Sequence, residues 1–262
     1  MLTISFFARA QHPPVFDGLM IDTTYAIIGN LNINLVKYTA GDPDVHFLAI
    51  HDNEDTGVKA AFQYIRTNGG SILDCQYGGV RNFKFNLNDR SYQLDPNSIY
   101  TSKGIVIGIE KYGPSDEEVV KEMETLRRVI LNEYNAAKQG YIFTLHNNAD
   151  GGFGVLSYVK GHELEGTADS VYINSLMDPD DLVLVTETEL FNKLKKENIN
   201  VVLQSQNARD DGSLSVYAMQ NKIPYLNVEV QHGHVDQNLN LISICADILA
   251  DMYLRPIKKP AN

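Results

Sequence analysis

Two cysteines in 262 residues allow at most one disulfide, so the chain is no disulfide-stapled scaffold. Cys75 and Cys245 could form that bridge or remain two small buried hydrophobes, and the pair does not fix a compartment. No apolar run approaches the roughly 18 residues needed to span a bilayer, which excludes an integral membrane segment in this sequence. Cations are also scarce, with 22 Lys and Arg against 33 Asp and Glu for a formal charge of -11. Nucleic acid and anionic membranes both need clustered Lys and Arg, so neither is expected as the main partner. Internal repeats, low-complexity tracts and Pro/Gly linkers are missing too. Nothing marks a domain boundary, and residues 11–262 read as one domain.

The remaining composition, 44% apolar and 21% charged, is that of a soluble globular chain long enough to bury a sizeable core. Apolar runs bounded by turns recur as "AIIGNLNINLV", "VHFLAI", "GIVIGI", "GYIFTL", "LVLV", "NVVLQS" and "PYLNVEV", and helical patterns separate several of them. That alternation predicts a single α/β domain with a central mixed, mostly parallel sheet flanked by helices. Helices are expected from Thr56 to Arg66, from Ser115 with a Ser115/Glu118 capping box to a stop at Gly140, from Glu187 to Glu197, and from Leu239 to Tyr253. The stretch from Asp74 to Ser102 reads as a long irregular loop, and such loops in compact domains often carry function. At the N-terminus, apolar Leu2 to Phe7 followed by Ala8-Arg9-Ala10 has the form of a signal-peptide remnant over residues 1–10. Its presence implies a periplasmic or secreted protein, its absence a cytoplasmic one.

Three strands end in, or carry, residues suited to metal chemistry. His51 and Glu54 form His-x-x-Glu where "HFLAI" gives way to a helix, so an imidazole and a carboxylate can converge on a zinc ion; the competing reading is a solvated turn whose acids favour the helix dipole. His146 is the first residue out of "YIFTL", at the strand-end position where ligands of open α/β sheets collect. Glu229 lies inside "YLNVEV", where burial would raise its pKa and suit it to general acid/base work. His232 and His234 compete as ligands, but Gly233 breaks the strand between them, which favours turn residues. Two His and one Glu with an open fourth position, plus a second Glu as base, suggest metal-assisted hydrolysis.

His-x-x-Glu, the later His146, the strand-borne Glu229 and the element Asp95-Pro96-Asn97-Ser98 with Arg90 upstream resemble the zinc carboxypeptidase-like superfamily, in particular its succinylglutamate desuccinylase/aspartoacylase branch. The order of elements matches over residues 44 to 235. The resemblance implies Zn²⁺ held by His51, Glu54 and His146, Glu229 as the base acting on water, Arg90 polarising the scissile carbonyl, and Asp95 and Asn97 at the substrate. It also makes Tyr217, on a loop before the catalytic Glu, a candidate for a substrate-facing tyrosine, against the alternative of a polar turn followed by a strand. Ser98 departs from the family's Arg, so recognition of a substrate carboxylate passes to another residue or is lost; Arg81 or Arg209 could substitute from another loop. The implied substrate is a small peptide, a cell-wall peptide or an acyl-amino acid. Two alternatives stand beside it. "TLHNNADG" and "VEV" are similar to elements of zinc N-acetylmuramoyl-alanine amidases, although that family's Gly-His-Gly-Gly turn is absent, and a non-catalytic peptide- or glycan-binding relative would also account for Ser98.

Overall fold

The computed structural model describes residues 15–42 and 44–254, so the signal-remnant reading of residues 1–10 falls outside the described residues. The chain opens with a hairpin of β1 (Met20–Ile28) and β2 (Leu31–Ala40), then β3 (His46–Ala49), α1 (Asp55–Asn68) and β4 (Gly70–Gln76). A small hairpin, β5 (Phe83–Leu87) and β6 (Arg90–Leu94), precedes α2 (Ser102–Glu110), α3 (Glu117–Tyr134), α4 (Ala136–Gln139) and β7 (Ile142–Asn148). Then come β8 (Ala168–Tyr172), β9 (Leu182–Val185), α5 (Thr188–Lys196), β10 (Val201–Gln204), α6 (Leu214–Gln220), β11 (Tyr225–Gln231) and α7 (Val235–Leu249).

Nine of these strands form one mixed sheet in the order β1-β2-β4-β3-β7-β11-β9-β10-β8. Its centre, β4-β3-β7-β11, is parallel; β1-β2-β4 on one flank pair antiparallel, and on the other β9 and β10 pair parallel with each other but antiparallel to β11 and β8. The central strands are buried on both faces, which is why they read as continuous apolar runs. Alternation splits the core into two clusters, one per face. Phe47, Phe143, Leu145, Val228 and Val230 pack with α1, α5 and α7 on one side; Leu48, Ile50, Ile142, Leu182 and Tyr225 pack with α2, α3 and α6 on the other. Cys75 lies in the second cluster and Cys245 in the first, and both are buried free thiols, so the sheet itself keeps them apart.

Helix α3 buries Val119, Met123, Leu126 and Ile130, the apolar face its spacing predicts. Each such side chain contributes on the order of 2 kcal/mol by leaving water. Its ends differ from expectation. Asp116, one residue past Ser115, is the cap and accepts from Glu118 N and Val119 N. Asn135 in the left-handed region breaks the helix, and Gly140 stops only the short α4. The Asp74–Ser102 stretch is not irregular: "FKFNL" and "RSYQL" alternate and pair Phe83↔Leu94 through Leu87↔Arg90 around Asn88-Asp89, both at positive φ. That is the backbone a two-residue hairpin turn requires. The segment after Gly212 is a helix, α6, rather than a strand; Ser213 caps it, and Leu214 and Ala218, one turn apart, face the core. Among the described residues no helix is long and apolar enough to cross a membrane.

Candidate metal centre

Parallel β3, β7 and β11 deliver their carboxyl ends to one edge of the sheet. Glu229 stands directly opposite His146 in the β7–β11 register, so both side chains project from the same face. His51 follows β3, and its carbonyl accepts Glu54 N at 3.1 Å, closing the turn that swings Glu54 back toward the histidine. Glu54 occupies the cap position of α1, yet its side chain caps nothing. Its carboxylate goes to the histidines instead, forgoing a cap worth about 1 kcal/mol. Gly57 makes the approach possible, since a Cβ there would lie 2.8 Å from Leu145 Cβ. A side chain at 57 would push α1 off β7 and carry Glu54 away from His146.

Ligand-type atoms of three residues meet at this point, one nitrogen from each histidine and both oxygens of Glu54. His51 Nδ1 and His146 Nδ1 are 3.1 Å apart, His51 Nδ1 is 3.0 Å from Glu54 Oε1, and His146 Nδ1 is 2.9 Å from Glu54 Oε2. All three residues are buried. Zinc–nitrogen bonds of 2.0–2.1 Å in a tetrahedron set ligand atoms about 3.3 Å apart, so this triangle needs only a few tenths of an ångström of expansion to hold such an ion. His51 donates from Nε2 to Asp95 Oδ1 at 2.7 Å, the carboxylate partner that fixes the tautomer of a ligating imidazole. His146 Nε2 is buried with no partner among the described residues.

Electrostatics follow from crowding these groups out of water. Burial works against a charged His51, but the Glu54 and Asp95 carboxylates overcome it and raise the imidazole to about 9. Burial likewise opposes ionisation of Glu54, and the two histidines reverse that, holding it well below the usual range. Asp95 is pulled to about 2 against its own burial by His51 and Arg81. Glu229 behaves oppositely. Burial dominates, and although His146 draws it down, Glu54 pushes it up, leaving it at about 7. The two glutamates are thus driven apart, one to a permanent anion and one to a group poised near neutrality, the division of labour of an acid/base site.

A cavity of about 740 Å³ opens from the cluster across the face of β11, β9 and β10, where Asn227, Leu184 and Gln204 line it. Asn97 lines it as well and accepts Leu214 N at 3.0 Å, tying the 96–98 turn to α6. Several candidates sit elsewhere. Asp95 is turned to His51 and does not line the cavity. Arg90 is on the small hairpin, largely exposed, and paired with Asp116 at 3.6 Å; it is not among the cavity's residues. Tyr217 packs on the core behind α6, with its ring 6.4 Å from Tyr100. The tyrosines lining the cavity are instead Tyr158, after β7, and Tyr225 on β11, whose hydroxyl is 2.7 Å from Thr144 Oγ1. Ser98 is buried, donates to the Asp95 carbonyl at 2.7 Å, and abuts Gly108. His232 and His234 stay in the turn before α7, outside the cluster.

Arg81 is the cation that reaches the cluster. Its guanidinium pairs with Glu54 and lies 3.4 Å from Asp95 Oδ2, and the charge of Glu229 also acts on it. Asp52 positions it: Asp52 Oδ2 accepts from Tyr77 N and from Gly79 N at 2.6 Å, and the Tyr77 hydroxyl donates to the Arg81 carbonyl at 2.9 Å. The buried aspartate thus ties the loop after β4 to the His-x-x-Glu turn. An aspartate between His and Glu was visible in the sequence; that it faced another loop was not.

Fold and cluster together define an α/β protein with a three-ligand, metal-type site at the carboxyl edge of its parallel strands. No family model matches the sequence, and no curated protein matches it. Solved structures to which the chain is similar include an aspartoacylase family protein from Mesorhizobium loti, at 13% identity over 92% of this chain and 68% of that one with a TM-score of 0.47. They include a succinylglutamate desuccinylase/aspartoacylase from Rhodobacter sphaeroides, at 12% identity over 96% and 68% with a TM-score of 0.45. Murein-tripeptide amidase from Escherichia coli O157 is similar at 10% identity over 92% and 95%, with a TM-score of 0.42.

Proposed function

We propose that the protein is a zinc-dependent hydrolase of an amide bond. The observation that carries this reading is the convergence of His51, Glu54 and His146 on one point beside a buried carboxyl, Glu229, at the head of a cavity. A zinc ion held by the three would act as a Lewis acid on the scissile carbonyl and lower the pKa of a water at its open position. Glu229 takes a proton from the attacking water and gives it to the leaving nitrogen, a transfer that its position near neutrality favours. Arg81, already beside the cluster, counters charge on the carbonyl oxygen, the task the sequence assigned to Arg90. Asp95 holds the His51 ring, and Asn97 offers its side chain to the substrate from the cavity wall.

The substrate class carried over from the resemblance is a small peptide, a cell-wall peptide or an acyl-amino acid. Retention of a buried base weighs against a purely binding role, because Glu229 makes no ion pair among the described residues, accepting only a 3.3 Å hydrogen bond from Asn227 Nδ2, and its burial is costly without chemistry to perform. Metal analysis tests the core of the reading. The expected result is one zinc per chain, lost in His51→Ala and His146→Ala; absence of zinc from the wild type, or unchanged occupancy in both variants, removes it. Hydrolysis by the wild type but not Glu229→Gln across a panel of peptides, acyl-amino acids and peptidoglycan fragments tests the mechanism.

A further inference from the structure

Away from the metal-type cluster the cavity carries three further charges, Arg209, Asp211 and Glu163. Arg209 is exposed and makes no ion pair or hydrogen bond with any described residue. Its loop is nonetheless firmly seated. Asp210 Oδ1 accepts from Thr101 Oγ1 at 2.7 Å and from Gly212 N at 3.1 Å, and Tyr100 N donates to Gly212 O at 2.9 Å. Gly212 has a φ of +85° and packs so closely on Gly104 that a Cβ at 104 would lie 2.0 Å from its Cα. The neighbouring aspartate is thereby committed to the loop, which leaves the guanidinium available to a ligand.

The two acids are similarly placed. Asp211 spends one carboxylate oxygen on Ser213 N at 2.9 Å, and Glu163 has no partner among the described residues. Both line the same cavity as Tyr158, whose hydroxyl is kept protonated by burial first and then by neighbouring anions, Glu229, Asp211 and Glu163 among them. That hydroxyl makes no hydrogen bond to a described residue and so remains a donor toward the cavity.

We infer that this outer half of the cavity takes an amphoteric substrate, one that brings a carboxylate to Arg209 and an ammonium to Glu163 and Asp211, rather than a polyanionic acyl-amino acid. The inference rests on the hydrolase reading of the same cavity and names its substrate class. Position 98 supplies no cation, since Ser98 is turned against Gly108, and Arg81, shared with Glu54 and Asp95, serves the scissile carbonyl at the cluster rather than a substrate carboxylate. A dianion entering here meets one available cation and two carboxylates. An amphoteric peptide end meets a complement for each of its charges, and wrong-sign juxtaposition is the stronger source of selectivity.

The test is calorimetric binding to the full chain carrying Glu229→Gln, zinc-loaded and metal-free, with L-alanyl-L-lysine, its C-terminal amide, its doubly N-acetylated form, and N-acetyl-L-aspartate. Alanyl-lysine is expected to bind most tightly, losing roughly twofold to fivefold on amidation and again on acetylation. Arg209→Gln should abolish the effect of amidation alone, and the double variant Glu163→Gln/Asp211→Asn that of acetylation alone. Tighter binding of N-acetyl-L-aspartate, preferences that survive these substitutions, or no saturable binding of any member overturns the inference. Failure of the hydrolase reading shows separately as absent zinc, and the charge preferences can still be measured on the metal-free protein.

Discussion

Asp95 offers a perturbation whose consequences separate cleanly. Its Oδ1 accepts from His51 Nε2 at 2.7 Å and from Asn97 N at 2.8 Å, so one atom both orients a ligand and caps the 96–98 turn. Asp95→Ala removes both. Loss of the cap costs about 1 kcal/mol, or about 2–4 °C in Tm for a chain of this size. Loss of the imidazole's partner lowers zinc affinity by roughly 10- to 100-fold. Asp95→Asn keeps an oxygen for Asn97 N and so holds Tm within about 1 °C, while removing the charge that helps raise His51 to about 9. The pH dependence then has a definite sign. Below its folded pKa His51 must release a proton before it can ligate, so wild-type affinity climbs steeply from pH 7 to pH 9. The variant's lowered imidazole pKa makes that climb shallower, which partly offsets its weaker binding at pH 7 and exposes the full deficit, about tenfold, near pH 9. Competition against a chromophoric chelator across this range, with thermal unfolding of the metal-free proteins, measures both quantities. Wild-type zinc affinity in both variants, or a deficit that follows Tm alone, would refute the assignment of Asp95 to His51.

Glu229→Gln should keep its zinc and lose about 10²- to 10⁴-fold in kcat; because the base must be ionised, wild-type kcat/KM should fall as pH drops, with a midpoint between the ordinary 4.5 and the buried value of about 7, since a dication in the cluster draws the carboxyl down. Arg81→Ala should cost roughly 10²- to 10³-fold in kcat, whereas Arg90→Ala, out on the hairpin, should leave kinetics at the wild-type level; equal losses would return the role to Arg90. Ser98→Arg should destabilise by about 1–3 kcal/mol or more, because a Cβ on Gly108 would already lie 2.3 Å from Ser98 Oγ, and chemical denaturation that showed no loss would mean this wall can open. His46 is held at about 4 by burial and then by Lys37 and Lys138, against the pull of Asp44. Between 6.5 and 4 the unfolded chain therefore binds a proton the folded one refuses, and stability should fall with pH over that window by roughly 1–2 kcal/mol after discounting for partial exposure, a slope that His46→Gln removes.

What the sequence disclosed and what it hid divide along a physical line. His51, Glu54, His146 and Glu229 were legible because each sits at or near the end of a buried run, and strand ends in a parallel sheet must gather at one edge. Arg81, Asp52, Asp95 and Tyr158 act through contacts between loops, and no periodicity reports which way a loop side chain points. Arg90 illustrates the failure. Its distance from Asn97 along the chain suited the resemblance, but "FKFNLNDRSYQL" alternates as a hairpin, and hairpin geometry carries residue 90 to the far turn, toward Asp116. The two Asn-Asp residues at positive φ were the available signal.

The same hairpin explains why Ser98 need not mark a loss of function. Strand β6 runs straight into Asp95, so the turn at 96–98 is held between the hairpin, α2 and α6, and residue 98 faces Gly108 rather than the cavity. Ser98 does not line the cavity, so on the proposed reading a cation for recognition comes from a different direction. The loop between β10 and α6 supplies one in Arg209 and flanks it with Asp211. On the amphoteric-substrate reading, the charges that line the cavity, Arg209 against Asp211 and Glu163, rather than position 98, set the charge pattern a substrate must match.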